Sequence, residues 1–247
     1  MKRLAGRRVI VSGGGQGIGA AIVRTFAGEA ARIAVLDGCA EAAGRIAEEV
    51  GGLAYAVDLA DVAGTREVMD RAITRLGGID VLVNNAGVLR FSALLDMEQL
   101  DFREGFTLGT QAMLVTTQAA ARAMIGFRTP SADCAGKVIN IAGVGGTGGG
   151  GQAHYAASKA AVMALTRAAA HELGPHGITV NCLCPGYSLD DLPGVRADRA
   201  DSWSALSPLG RLAEPHDVAR AALFLASSDS DYLTGDALNI CGGMQLH

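Results

Sequence analysis

The fold this sequence predicts is a doubly wound α/β domain, a parallel sheet with helices on both faces. Three observations predict it. Short apolar runs alternate with helical patterns from one end of the chain to the other. The apolar runs are near-continuous, the pattern of strands buried on both faces. A glycine-rich turn stands between the first strand and the first helix. The chain has 247 residues, 49% hydrophobic and 19% charged, enough for one substantial core. No repeat, low-complexity tail or linker divides it, so residues 1–247 read as a single domain.

In order, Arg8–Val11 is a short apolar strand ending at Ser12, and Ala20–Ala27 is a helix. Arg32–Leu36 is the second strand, closed by Asp37, and Glu41–Val50 the second helix. Leu53–Val57 is a strand ending at Asp58. Val62–Leu76 is a helix with an apolar stripe at Val62, Val68, Met69, Ala72, Ile73 and Leu76. The strand Asp80–Val83 breaks into Asn84-Asn85-Ala86-Gly87. Two helices follow, near Met97–Arg103 and Phe106–Met124, then a polar loop from Gly126 to Gly136. Lys137–Ile141 is a strand, Gln152–Leu173 a helix and Ile178–Cys184 a strand ended by Pro185-Gly186. Leu189–Pro208 has no regular pattern; Glu214–Ala226 is a helix and Ala237–Ile240 the seventh strand.

Composition excludes several classes. A net charge of −4 argues against nucleic-acid or acidic-membrane partners, which require a basic face. No apolar run is long enough to span a bilayer. The opening Met-Lys-Arg-Leu-Ala-Gly-Arg-Arg enters a strand with no long apolar segment, which predicts no signal peptide. Cys39, Cys134, Cys182, Cys184 and Cys241 are scattered without a C-x-x-C pair. That pattern predicts reduced thiols in a cytoplasmic protein, with no disulfide frame and no metal site. Cys182 and Cys184 alternate in an apolar strand and read as core.

The chemistry-bearing residues fall at strand carboxyl ends, where open α/β sheets bind ligands. Gly13-Gly14-Gly15-Gln16-Gly17-Ile18-Gly19 lies between a strand and a helix. In that context glycines let a pyrophosphate approach the helix N-terminus, whose free N–H groups favour an anion. Asp37 ends the second strand, where a carboxylate can bind ribose hydroxyls and repel a 2′-phosphate. The alternative role for it is the N-cap of the helix that begins near Cys39. Tyr155 and Lys159 are four apart in a helical pattern, so both address one volume. A cation beside a phenol favours the phenolate, which suits the tyrosine to proton transfer. That pair acquires meaning only with a hydride carrier beside it.

The sequence resembles the short-chain dehydrogenase/reductase family, single-domain branch, over nearly its full length. The matching stretches are Ser12-Gly13-x-x-x-Gly17-Ile18-Gly19, Asp58-Leu59, Asn84-Asn85-Ala86-Gly87, Tyr155-x-x-x-Lys159, Asn181 with Pro185-Gly186, Gly210-Arg211, Thr234-Gly235 and Gly242-Gly243. The resemblance implies a seven-stranded Rossmann-type fold and a nicotinamide cofactor. It implies a homotetramer or homodimer built on the helices near 106–124 and 152–173. It assigns Gly13, Gln16, Gly17, Ile18 and Gly19 to the pyrophosphate and nearby ribose, Asp37 to the adenine ribose, and Asp58 and Leu59 to the adenine. Asn85, Ala86 and Gly87 would pass along the cofactor, with Asn84 stabilising the central strand. Tyr155 would be the proton donor or acceptor, and Lys159 would hold the nicotinamide ribose and tune the tyrosine. Pro185, Gly186 and Ser188 would lie against the nicotinamide. A substrate lid would span about 188–210, with Leu192, Trp203 and Leu206 as apolar contacts. Asp37 implies NAD(H) in preference to NADP(H), with Gly38 and Cys39 offering no arginine.

Three departures stand out. The family's serine, thirteen positions before its tyrosine, falls on Ala142; counted from Asn140-Ile141 it falls on Gly143. Neither has a hydroxyl, and Thr147 is the nearest substitute. The family's helical asparagine falls on Gly109, with Thr107, Thr110 and Gln111 as nearby polar groups. The threonine that follows Pro-Gly in the family is absent, and Ser188, Leu189 and Asp190 stand there. His154, turned about 100° from Tyr155, is expected near the lid or at an interface. The expected function is an NAD(H)-dependent oxidoreductase interconverting a secondary alcohol and a ketone, acting on a small-molecule substrate. The alternative is a non-redox isomerase, cyclase or dehydratase, or a catalytically silent subunit, that retains the dinucleotide.

Overall fold

The computed structural model describes residues 2–88, 92–127, 134–144, 153–188 and 203–245. The strands are β1 (Arg8–Ser12), β2 (Arg32–Asp37), β3 (Leu53–Ala56), β4 (Val81–Asn84), β5 (Gly136–Ile141), β6 (Ile178–Pro185) and β7 (Ala237–Ile240). They form one sheet in the order β3-β2-β1-β4-β5-β6-β7, and every pairing is parallel. The chain reverses its direction of travel across the sheet between β1 and β4. That is where an open α/β sheet leaves a crevice at its carboxyl edge. The helices are α1 (Gly17–Gly28), α2 (Ala40–Val50), α3 (Val62–Leu76), α4 (Gln99–Phe106), α5 (Ala112–Gly126), α6 (Ala153–Leu173) and α7 (Pro215–Ala226).

Successive strand residues feed opposite layers, as a period of two requires. Val9 and Val11 pack with Ile22 and Phe26 of α1, Ile46 of α2 and Val218 of α7. Ile10 and Leu82 pack with Met69 of α3 and Met124 of α5. Each fully buried side chain of this kind contributes about 1.5–3 kcal/mol relative to exposure. The apolar runs are continuous because both faces are covered. Helix ends follow their sequence signals: the Asp61 carboxylate accepts from Ala63 N–H at 3.0 Å to start α3, and Gly77 ends it at φ +78°.

One element differs from the sequence pattern. The two helices expected after β4 form one continuous helical run. A π-turn over Thr107–Gln111, closed by Ala112 N–H to Thr107 O, joins α4 to α5. Glycine at 105 and 109 is too weak a breaker to separate them. The π-turn absorbs one extra residue instead.

The amino edge of the sheet, opposite the crevice, is held by charge. Arg8 donates from Nε to Asp80 Oδ2 at 2.9 Å and from Nη2 to Oδ1 at 2.7 Å, and its main-chain N–H reaches Oδ2 at 2.7 Å. Burial raises the Asp80 pKa, but the Arg8 hydrogen bonds and charge outweigh it and hold the carboxyl below its usual range. A depressed carboxyl contributes stability above its unfolded-state pKa, near 3.9. That stability is lost as pH falls through the lower folded value. Asp80→Asn is therefore expected to cost roughly 1.5–3 kcal/mol at pH 7. Urea unfolding of both proteins from pH 7 to pH 3 measures the gap, which should shrink toward the acid end. A constant gap would mean that the carboxylate charge is not what holds β1 to β4.

Candidate active site

The glycine turn after β1 is built for close approach. Gly13 has φ +63°, and a Cβ there would sit 2.9 Å from Ala86 Cα. A Cβ on Gly19 would come 2.0 Å from Gly13 O, so α1 starts directly against the turn. Asn85 Nδ2 donates to Gly13 O at 2.8 Å, and Asn85 N–H donates to Ser12 Oγ at 3.2 Å. This stitches the turn to the end of β4. Helix α1 starts at Gly17, Gln16 precedes it with no side-chain cap bond, and Gln16, Gly17 and Ile18 line the crevice.

Asp37, at the end of β2, accepts from Gly15 N–H at 2.9 Å through Oδ2 and from Cys39 N–H at 3.0 Å through Oδ1. The cap of α2 is Cys39, so Asp37 braces the glycine turn instead of capping the helix. Arg45 of α2 donates to Gly15 O at 3.2 Å. Gly38 and Cys39 offer no arginine, as expected from the sequence, but α2 brings Arg45 to the same Gly15 that Asp37 holds. Asp58 accepts from Ala60 N–H at 2.9 Å and is exposed, while Leu59 is buried.

Buried polar side chains fix the middle of the crevice. Asn84 Nδ2 donates to Asn140 Oδ1 at 2.9 Å and to Thr117 Oγ1 at 3.0 Å. Thr116 donates to Asn84 Oδ1 at 2.6 Å, and Asn140 Nδ2 donates to Thr166 Oγ1 at 2.9 Å. This network ties β4, β5, α5 and α6 together, so it sets the height of α6 on the sheet. Asn140 and Thr166 were not singled out by sequence. Their signal was an asparagine inside an apolar strand, which is stable only when paired.

Tyr155 and Lys159 project from α6 into one cleft. Lys159 is buried, donates from Nζ to Ile141 O at 2.8 Å, and lies 5.5 Å from the centroid of the Tyr155 ring. The cleft measures ≈ 570 Å³, within the usual range for ligand sites. It runs from Asp37, Gly38, Val57, Asp58 and Leu59, past Gly13, Gln16, Gly17 and Ile18 and then Asn85, Ala86 and Gly87. It ends at Tyr155, Lys159, Pro185, Gly186, Tyr187 and Ser188. The structure thus brings together the predicted catalytic and cofactor-binding residues except Gly19, which lies behind the turn as the residue that lets Gly13 approach; of the substituted positions, Ala142 borders the cleft while Gly143 and Gly109 are not among its lining.

The departures resolve by geometry. A Cβ on Gly143 would come 2.7 Å from Tyr155 Oη. Gly143 is therefore the position that faces the phenol. Ala142 is 2% exposed and packs with Met113, Val162, Cys182 and Cys184. Its N–H bonds Leu183 O at 2.8 Å, which continues the register of β5 on β6 and turns its side chain into the core. The alignment that counts from Asn140 is the one the fold follows. Cys182 and Cys184 are core residues, with sulfurs 3.9 Å apart. Their mutual hydrogen bond, reinforced by burial, pushes the Cys182 thiol well up.

At Gly109 a Cβ would come 2.2 Å from Ser158 Oγ. The Ser158 hydroxyl donates to Gly105 O at 2.8 Å, and Thr110 donates to Ser158 O at 3.3 Å. The π-turn thus lies directly against the helix that carries Lys159, and glycine permits the contact. A space of ≈ 10 Å³ beside Gly109 is lined by Ser12, Asn84 and Thr116, about what one water molecule fills. His154 is 0% exposed and packs on Gly105, so the expectation of an interface position is corrected, while most of the lid it was expected to border lies outside the described residues. Its adjacency to Tyr155 turns it toward α4.

Thr147, Leu192 and residues 189–202 of the expected lid lie outside the described residues. Of the other lid residues, Trp203 stacks on Tyr187, ring centroids 4.9 Å apart, and Leu206 is 56% exposed.

Residues 13–245 match a family model described as enoyl-(acyl carrier protein) reductase. The 3-oxoacyl-[acyl-carrier-protein] reductase FabG of Chlamydia pneumoniae is 36% identical, covering 98% of this chain and 98% of that protein. A galactitol 2-dehydrogenase (L-tagatose-forming) of Cereibacter sphaeroides is 35% identical, covering 98% and 96%. A crystal structure of a short-chain type dehydrogenase/reductase from Mycobacterium marinum superposes with a TM-score of 0.91 at 34% identity, covering 99% and 97%. The chain belongs to the short-chain dehydrogenase/reductase family. That is an oxidoreductase family whose members bind a nicotinamide dinucleotide, and the cleft fits one. It has a glycine turn at a helix start, the Asp37 carboxylate at one end, and a buried Ser188 hydroxyl with no partner at the other. Among the described residues, no helix is long and apolar enough to cross a membrane.

Proposed function

We propose that this chain is an NAD(H)-dependent oxidoreductase that interconverts a secondary alcohol and a ketone. The observation that carries the reading is the shared cleft. One continuous space joins the glycine turn and Asp37 to Tyr155 and Lys159. The dinucleotide supplies or accepts hydride when bound. The protein's part is to position both ligands and move one proton. Tyr155 Oη gives a proton to the carbonyl oxygen in reduction and takes it back in oxidation. Lys159, a buried cation beside the ring, stabilises the phenolate left behind and holds the ribose. The ketoreductase and polyol dehydrogenase names of the relatives support a C–O bond as the reacting group.

A second reading is kept by one specific observation. Gly143 and Gly109 carry no side chains where the family has serine and asparagine, so a non-redox reaction or a silent subunit with bound dinucleotide remains the competitor. Steady-state NADH oxidation with a panel of small ketones decides between them, because only the first reading gives turnover. The proposed assembly is a homodimer or homotetramer, supported by exposed Phe102, Leu114, Ile125 and Phe127 on α4, on α5 and just after it.

NAD(H) is proposed as the preferred form because both Asp37 oxygens are pinned by main-chain N–H groups at the ribose end. A 2′-phosphate would meet that fixed carboxylate. Asp37→Ala removes the repulsion and leaves Arg45 nearby. The expected result is NADPH affinity raised roughly 10- to 100-fold, with NADH weakened. Fluorescence titration of both reduced cofactors reads it. Tighter NADPH than NADH binding by the unaltered protein would reverse the assignment.

A further inference from the structure

Sulfur is gathered at one point of the core. Cys182 and Cys184 are two apart on β6, and strand residues alternate faces, so both thiols project from one side of the sheet. The lack of a C-x-x-C pair, from which the sequence predicts no metal site, does not bear on a C-x-C pair held by a strand. The two sulfurs are 3.9 Å apart. Met163 of α6 packs over them, with its Sδ 3.8 Å from Cys184 Sγ. Both cysteines are buried and Met163 is partly exposed, so the group reaches the surface through its thioether.

The chemistry of this set selects its ligand. Thiolate and thioether are soft donors, which match copper(I) and not hard cations. Three sulfurs bound in a plane, each about 2.3 Å from one metal, stand about 4 Å from one another. The separations of 3.9 and 3.8 Å fit that triangle without repacking. Among the described residues, no three of histidine, cysteine, aspartate and glutamate gather at one point, so no comparable site serves a harder cation. Charge favours the same occupant. The hydrogen bond from Cys182, aided by the Gly143 main chain and the charges of Lys159 and Arg167, holds the Cys184 thiol below its usual range against the effect of burial. The Cys184 bond and burial push the Cys182 thiol up, and Lys159 acts the other way. A cation that replaces the proton between the two sulfurs removes the first of those causes.

We propose that the sulfurs of Cys182, Cys184 and Met163 bind one copper(I) ion between β6 and α6. Binding displaces two thiol protons to solvent and changes no oxidation state. The ion and two thiolates carry one net negative charge, which the Lys159 ammonium balances. The thioether adds a third, neutral bond.

The test uses the full chain, reduced and free of oxygen, with copper(I) supplied as its acetonitrile complex and bicinchoninate as the competing chelator. The variants are Cys184→Ala, Met163→Leu and a double variant, Cys39→Ser with Cys134→Ser, that removes the two more exposed thiols. The unaltered protein and the double variant should each retain one copper per chain, with X-ray absorption showing sulfur neighbours alone. A lost ligand costs at least the roughly 10- to 100-fold in affinity that supporting groups cost. Met163→Leu should therefore weaken copper at least tenfold, and Cys184→Ala should lose it. Leucine conserves the volume of methionine, so Met163→Leu decides the matter even if Cys184→Ala fails to fold. Three results overturn the proposal: no copper retained against bicinchoninate, equal retention by Met163→Leu, or loss of copper in the double variant. The first would mean that the three sulfurs are core packing only. None of these readings requires turnover or NADH, so they stand apart from the oxidoreductase reading.

Discussion

Tyr155→Phe is expected to lower kcat by roughly 10²–10⁴ while NADH affinity stays within about twofold. Among the described residues, the phenol is the proton-transferring side chain that the cleft brings beside Lys159 and the end of β5. Phenylalanine keeps the ring and its packing, so α6 and the Lys159–Ile141 hydrogen bond of 2.8 Å should survive. What disappears is the proton, and with it the ability to neutralise an oxyanion as hydride adds. Lys159→Ala should behave differently. It removes a buried cation and leaves the Ile141 carbonyl without that donor, so both turnover and NADH affinity should fall. Steady-state kinetics and a fluorescence titration on the two variants separate the roles. Normal turnover by Tyr155→Phe would place the chemistry elsewhere and favour the non-redox reading.

The contrast between what was legible in the sequence and what was not has a physical basis. Strand order of appearance, helix order and the strand-end residues were legible because each rests on local pattern. Continuous apolar runs mean strands covered on both faces, and Asp37, Asn84 and Pro185 stand where those runs stop. The Tyr155/Lys159 pair was legible because helical spacing alone places both on one face. Contacts between elements were not. Whether Ala142 or Gly143 meets the phenol depends on how far β5 stays paired with β6, which the Ala142–Leu183 hydrogen bond decides. The junction of α4 and α5 reads locally as a glycine break. It is a π-turn because Gly109 fits against Ser158, a residue 49 positions later (158 − 109). Arg45 reaches Gly15 across the top of the sheet, and His154 turns inward onto Gly105. Each of these depends on helix packing angles that no local window encodes.

That geometry divides the ways of restoring the missing hydroxyl. Gly143→Ser is expected to raise kcat/KM for a simple ketone by roughly 10- to 100-fold, below the full value of an oxyanion donor because placement is imperfect. A Cβ there would lie 2.7 Å from Tyr155 Oη, so the tyrosine tip must swing aside. The obstacle is the far end of a side chain, which can yield, and the new hydroxyl then sits next to the phenol. Ala142→Ser should give no kinetic gain. It buries a hydroxyl among Met113, Val162, Cys182 and Cys184, at a cost of about 1–3 kcal/mol in stability. Gly109→Asn should lose both stability and turnover. Its Cβ would fall 2.2 Å from Ser158 Oγ, and the serine that must move lies on α6 beside Lys159 and is bonded to Gly105 O of α4. Thermal melts, NADH titration and ketone kinetics on the three variants give distinct signatures. A gain from Ala142→Ser without one from Gly143→Ser would contradict the register of β5. No gain from Gly143→Ser, with fold and NADH binding intact, would mean that the cleft was never short of one donor for carbonyl reduction. It would then be shaped for a different reaction on the same dinucleotide.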